Sequence, residues 1–294
     1  MLISESMQYP DGEYPKTQLP WPELIRLTYS EIRHTTNTAM AEGLTVSQKI
    51  NELFAYRRIP ELLNLAGIEK DSPFVARLYA LQEVIYALDQ YLETNWVVKK
   101  KELKKRWDEI YDALSAFGIR KKDYIMYTSD VERYERYELD LRKNKLPVNR
   151  SFETLYSCKS CDVKLIRTLI YRHAPDLKKK LREKEWEYYD LITEVNDDIQ
   201  DVFEDCESWN GNRFLISVLV RGKGQTRRAY RDFLDKTGKE ARKHFKKNKE
   251  PYHAQLFKWT MERLQETEDL LRETMDGQKL YLVNHSAIAV KIKK

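Results

Sequence analysis

Glycine and proline are scarce in this chain, nine of each among 294 residues, and cysteine is scarcer at three. So few breakers exclude a many-turned β architecture and leave room for long helices. An odd, small cysteine count excludes a disulfide scaffold and fits a reduced, cytoplasmic setting. No run approaches the roughly 20 apolar residues of a membrane-spanning helix. Mean hydropathy is −0.71 and 34% of residues are charged, so stable membrane insertion is not expected. Met1 to Pro20 lacks the basic stretch and apolar run of a secretory leader. No glycine-rich phosphate loop is present; Arg221-Gly222-Lys223-Gly224 reads as a turn joining helices. The histidines at 34, 173, 244, 253 and 285 show no metal-ligand pairing. Cys158-Lys-Ser-Cys161 lacks the second pair that a zinc site needs.

Helical patterning runs nearly from end to end. Apolar spacings of three and four predict helices at about 20–34, 46–66, 73–98, 100–116, 128–144, 151–173, 176–208, 211–222, 225–246 and 251–275. Ser72-Pro73 and Ala174-Pro175-Asp176 are start signals, and Gly118 and Gly277 stop signals. Pro10, Pro15, Pro20 and Pro22 mark an irregular N-terminal arm over 1–19. With no repeat, linker or βαβ alternation, residues 20–294 form one all-α domain, a single bundle of about ten helices. The net charge of +5 says little about partners. The basic run Lys236–Lys249 has acidic neighbours and no ordered aromatic interleaving, so a nucleic-acid partner is not expected.

Acidic residues carry the functional signal. Asn196-Asp-Asp-Ile-Gln-Asp-Val-Phe-Glu-Asp205 holds five carboxylates, yet Val195, Ile199 and Val202 keep an apolar stripe. Asp197, Asp201 and Asp205 stack along one side of that helix at i, i+4 and i+8. Such like-charge pairs cost roughly 0.2–0.5 kcal/mol each, and a hard divalent cation with oxygen ligands would offset the cost. A second site lies in the mostly apolar helix from Ala76, where Asp89 and Glu93 emerge at i and i+4. Burying an unpaired charge is costly, so two such helices facing inward would enclose a carboxylate-lined cavity.

These segments resemble class I terpene synthases. The stretch from Tyr188 to Leu234 is similar to that family's second metal-binding helix and the helix after it. In that family an Asn-Asp-x-x-Ser-x-x-x-Glu motif follows an apolar lead-in, here Asp190-Leu-Ile-Thr-Glu-Val195, and this chain has Gln200 in place of the Ser. Next come Asn212-Arg-Phe-Leu-Ile-Ser-Val-Leu219 and, after a turn, Gln225-Thr-Arg-Arg-Ala-Tyr-Arg-Asp-Phe-Leu234. Asp89-Gln90-Tyr91-Leu92-Glu93 resembles the family's Asp-Asp-x-x-Asp/Glu box, and Arg150, 46 residues before Asn196, stands where its diphosphate-sensing Arg is expected. The second motif has two registers. Asn196, Gln200 and Glu204 preserve the Arg150 interval. Asp197, Asp201 and Asp205 supply three carboxylates, are preferred as ligands, and also resemble the Asp-rich helix of squalene and phytoene synthases.

The resemblance implies a bundle around a central cavity. A trinuclear Mg²⁺ cluster (Mn²⁺ as substitute) would sit on Asp89, Glu93, Asp197, Asp201 and Asp205, with Arg150, Arg213 and Lys223 on the diphosphate. Lys159 and Arg167 are further basic candidates. Asp89, Asp197, Asp201 and Arg150 would carry catalysis: ionisation of a prenyl diphosphate, farnesyl or geranylgeranyl, then cyclisation or rearrangement by a monomer or homodimer. Phe74, Tyr79, Tyr86, Phe152, Tyr156 and Trp209 lie near these elements and offer aromatic faces for a carbocation. A prenyltransferase of the same fold and a non-catalytic helical binding protein are the alternatives. The chain departs from the family pattern at Gln90, in lacking the Lys before the last motif acid, in its shorter interval between acidic sites, and in Lys279-Leu280-Tyr281 where an Arg-Tyr pair is usual.

Overall fold

A computed structural model describes residues 45–143, 145–205, 211–246 and 250–277. The expected arm, the helix at 20–34, Trp209 and Lys279-Leu280-Tyr281 lie outside the described residues. Among those described the chain is all-α, a single compact domain of twelve α-helices with no strand. They are α1 (Val46–Tyr56), α2 (Ile59–Ala66), α3 (Pro73–Thr94), α4 (Lys100–Ser115), α5 (Ile125–Leu141), α6 (Phe152–Lys159), α7 (Cys161–His173), α8 (Leu177–Lys180), α9 (Glu187–Gln200), α10 (Arg213–Arg221), α11 (Lys223–Phe245) and α12 (Pro251–Asp276).

Three expected helices are divided, each for a local reason. Pro60 cannot continue the 46–66 helix, because its ring would meet the carbonyl one turn back. The chain turns at Arg58 (φ 59°) and restarts with Pro60 in the first turn. That left-handed residue is held by Glu61 at 2.9 Å and by stacking over Trp259. The 151–173 helix breaks at buried Ser160, whose hydroxyl donates to the Tyr156 carbonyl, while Asp162 accepts from the backbone N–H of Val163. The 176–208 segment becomes a short α8, a 3₁₀ turn at Glu183–Trp186 and then α9, which ends at Gln200. Carboxylates beyond that point oppose the negative C-terminal end of the helix dipole. Asn212 closes this end: its Nδ2 donates to the Asp198 carbonyl and to Asp205, and its Oδ1 caps α10 through Leu215 N–H. Ser72 caps α3 as expected, and Gly222 (φ 79°) makes the α10–α11 turn.

Helix α9 is the central element. It packs chiefly on α12 and also on α6, α10 and α11, and ten of its residues are buried. One core, including Leu78, Leu81, Ile110 and Ile166, is built mainly from α1–α5 and α7 and reaches Tyr189, Phe245 and Leu256 of α9, α11 and α12. The other, with Ile192, Val195, Phe214, Tyr230 and Leu264, joins α6 and α9–α12. Helices α3 and α9 share no substantial contact with each other, and a cavity opens between them. Ile192 is fully buried in α9. Ile192→Ala is expected to cost about 2–5 kcal/mol, read as a lowered midpoint in chemical denaturation with helicity retained; an unchanged midpoint would contradict the placement of α9.

Candidate functional site: an acid-lined cavity

The cavity has a volume of about 280 Å³ and draws its walls from α1, α3, α5, α6, α7 and α9. Eight carboxylates line it: Asp89, Glu93, Asp162, Glu194, Asp197, Asp201, Glu204 and Asp205. Lys49, Arg57 and Lys159 are its cations. Ile50, Leu53, Ile85, Leu88 and Val131 supply apolar wall, with Tyr86 and Tyr134 as aromatic faces. Arg57, Gln82 and Glu194 are buried, so they mark the floor; Glu204 is exposed and marks the mouth. Gln82 precedes Glu93 on α3, and Glu194 on α9 precedes Glu204 in the turn beyond it, so both helices run from floor to mouth. Their negative dipole ends converge where the acids crowd, which disfavours anions and favours a cation.

The five sequence-predicted acids Asp89, Glu93, Asp197, Asp201 and Asp205 all line this cavity. Of the alternative register, Asn196 is turned into the core, accepting from Tyr56 at 2.6 Å and donating to Thr267 at 2.9 Å. Gln200 is exposed, and Glu204 lines the mouth. The predicted basic residues fare differently. Arg150 donates to Asp140 at 2.6 Å and stacks on Tyr137. Arg213 donates to the carbonyls of Pro147 and Arg150 and stacks on Phe152. Lys223 begins α11. None of the three lines the cavity. Arg167 is spent on Asp190, which its Nη1 reaches at 2.6 Å, and on the face of Trp186. Lys159 does line the cavity. Of the aromatic candidates Tyr86 lines it; Phe74 stacks on His173, Tyr79 donates to Asn51, and Phe152 and Tyr156 pack with Tyr230 or Phe233.

Asp198, one residue off the lining face, anchors α9. It accepts from Lys159 Nζ at 2.5 Å, Tyr156 at 2.8 Å and the Arg213 backbone N–H at 2.9 Å. Burial opposes the Lys159 charge, but Asp198, Glu194 and Asp197 hold its ammonium well above the usual range. Arg57 meets Glu194 at 2.8 Å. Sequence reasoning missed Asp198, Glu194, Asp162, Lys49 and Arg57. Glu194 was within reach, since the i+3/i+4 spacing of the acidic face extends back from Asp197. Arg57 carries no local signal, because only the Pro60 break aims it inward.

Several acids in and beside the cavity are raised. Burial pushes Asp89 up to about 6 against a hydrogen bond from Tyr134. Burial, then Asp89 and Asp205, push Glu93 to about 10. Burial, then Asp197 and Asp205, bring Asp201 to about 8, and Asp205 reaches about 7. Burial likewise raises Glu138 and Glu194 to about 7. Burial beside other carboxylates disfavours the charged form and holds the proton on. All-oxygen donors fit a hard divalent ion. Among the described residues no three such groups stand close enough to form an ion cage. Mg²⁺ commonly takes one or two carboxylates, with water and substrate phosphate completing its shell.

No family model, curated protein or solved structure matches the chain.

Folded carboxylates with raised values keep protons that the unfolded chain releases above its ordinary pKa of about 4, so stability falls as pH rises. The window runs from there to about 6 for Asp89, 8 for Asp201 and 10 for Glu93. The metal-free protein is therefore expected to melt lower at pH 9 than at pH 6. Asp201→Asn should raise the pH 9 melting point by an amount equivalent to about 1 kcal/mol or more. Asp198→Ala, which strands buried Lys159, should instead cost about 3–5 kcal/mol. Calorimetry of the three proteins checks both; equal effects of the two substitutions would contradict the division of roles.

Proposed function

We propose that the chain is a divalent-cation-dependent enzyme of the class I isoprenoid-synthase type. It would ionise an allylic prenyl diphosphate, release diphosphate, and cyclise or rearrange the carbocation. The observation that carries this reading is the meeting of Asp89 and Glu93 from α3 with Asp197 from α9 and Asp201 and Asp205 from the turn after it around one cavity. Carboxylate pairs on two unconnected helices are what a cation–diphosphate complex needs as a cradle. An acid-lined site alone would repel diphosphate; ions held on it reverse that sign and neutralise the charge building on the leaving group.

The chain's own residues serve the rest. Asp89, Glu93, Asp197, Asp201 and Asp205 would hold the ions at the mouth. Lys49, beside Tyr86 and within the field of Glu204 and Glu93, adds positive charge there. Lys159 is fixed by Asp198 and keeps one wall cationic. Ile50, Leu53, Ile85, Leu88 and Val131 shield the chain from water, and the faces of Tyr86 and Tyr134 can stabilise passing positive charge.

Purified protein with Mg²⁺ and each prenyl diphosphate, products read by mass spectrometry, tests the proposal. Released diphosphate with a hydrocarbon or terpene alcohol is expected, and Asp201→Ala should abolish turnover while preserving helicity. A longer diphosphate or a C30/C40 product would move the assignment to prenyl transfer. No diphosphate release from any substrate, with no Mg²⁺-dependent rise in melting temperature, would sink the enzyme reading.

A further inference from the structure

The turn between α3 and α4 is firmly held, yet it carries an exposed valine. Arg142, at the end of α5, donates to the carbonyls of Leu92, Asn95 and Trp96 at 2.5–3.0 Å, and its guanidinium lies over the Trp96 ring at 5.4 Å. Tyr91 accepts the Lys99 backbone N–H at 2.8 Å, and the Asn95 amide donates to the Tyr91 carbonyl at 2.9 Å. So braced, the turn presents Val97 at 76% exposure. A fold gains nothing by fixing an aliphatic side chain in water.

Lys99, Lys100 and Lys101 follow at once, all exposed and with no ion-pair partner among the described residues. One turn further on the charges are already used, Lys104 by Asp108 and Lys105 by Glu109. Between Asn95 and Leu103 three lysines stand against one carboxylate, Glu102, so the tip is basic. An aromatic ring, an aliphatic side chain and adjoining lysines make up an interfacial anchor: the apolar tip enters the acyl boundary while the lysine stems carry their charges to the lipid phosphates. Other occupants fit less well. A second copy of the chain would set the same cations against one another across a two-fold axis, and lysine is depleted from protein interfaces. Nucleic acid would engage the lysines and leave Val97 in water.

We propose that the turn at 96–101 docks the protein on an anionic lipid surface. The contact is peripheral, since no helix among the described residues is long and apolar enough to cross a membrane. The turn directly follows Glu93 and α3, so docking sets the cavity mouth beside the bilayer. The docking stands independently of the prenyl-diphosphate reading; under that reading, an amphiphilic substrate dissolved in the bilayer would meet the mouth there.

Co-sedimentation of the purified chain with lipid vesicles tests it. The chain is expected to pellet with phosphatidylcholine vesicles containing phosphatidylserine, to stay in solution with phosphatidylcholine alone, and to be released as salt is raised. Lys99→Gln with Lys100→Gln should lower partitioning about 25-fold, the product of about fivefold for each lysine. Val97→Ser should lower it about tenfold. Lys121→Gln with Lys122→Gln removes the same charge from exposed positions beyond the far end of α4 and should change partitioning by no more than about twofold. Circular dichroism confirms that each variant is folded. No pelleting with anionic vesicles, or equal losses from the two lysine pairs, would overturn the docking surface and leave the ionisation reading standing. Self-association that Val97→Ser abolishes, without vesicle binding, would overturn it in favour of a second copy of the chain.

Discussion

The buried pair of Lys159 and Asp198 sets the terms for the rest of the structure. An acidic helix at the centre of a bundle is unfavourable unless some of its charge is compensated, and this pair compensates it on one side only. Asp198 gathers a lysine, a tyrosine hydroxyl and the first backbone N–H of α10, tying α6, α9 and α10 at one point. With that face fixed, Asp197 and Asp201 have to face the cavity. The Asp198 side is a joint, and the other side lines the cavity with carboxylates.

Crowding on the open side has a direct electrostatic reading. Carboxylates with values raised to about 8 and 10 at Asp201 and Glu93 hold protons that a cation would displace. Binding of a cation here would therefore be linked to proton release. The convergence of two helix C-termini at the mouth acts in the same direction, because both dipoles present negative ends there.

Much of this was legible in the sequence. The fold class followed from scarce breakers and unbroken apolar spacing, and both acidic segments announced themselves by carboxylates set into apolar stripes. The two registers stayed open in the sequence, and packing separates them: Asn196 meets Tyr56 and Thr267, whereas Asp197 and Asp201 line the cavity. Helix length was less legible. The breaks at Arg58 and Ser160 depend on a proline one turn ahead and on one serine hydroxyl, and they redirect everything downstream. The basic residues were the least readable. Arg150 and Arg213 are bound to Asp140 and to backbone carbonyls, while Arg57 reaches the cavity only because the chain turns just after it. A cation's partner is set by tertiary packing, and interval counting along the chain does not contain it.

The central claim is that this acid-lined cavity holds divalent cations together with diphosphate. Isothermal titration of the purified chain with Mg²⁺, in the presence and absence of inorganic diphosphate, tests it most directly. Saturable binding that requires both components, releases protons and disappears in Asp201→Ala is the predicted result. Absence of binding with both components present, or binding undiminished in Asp201→Ala, would contradict it.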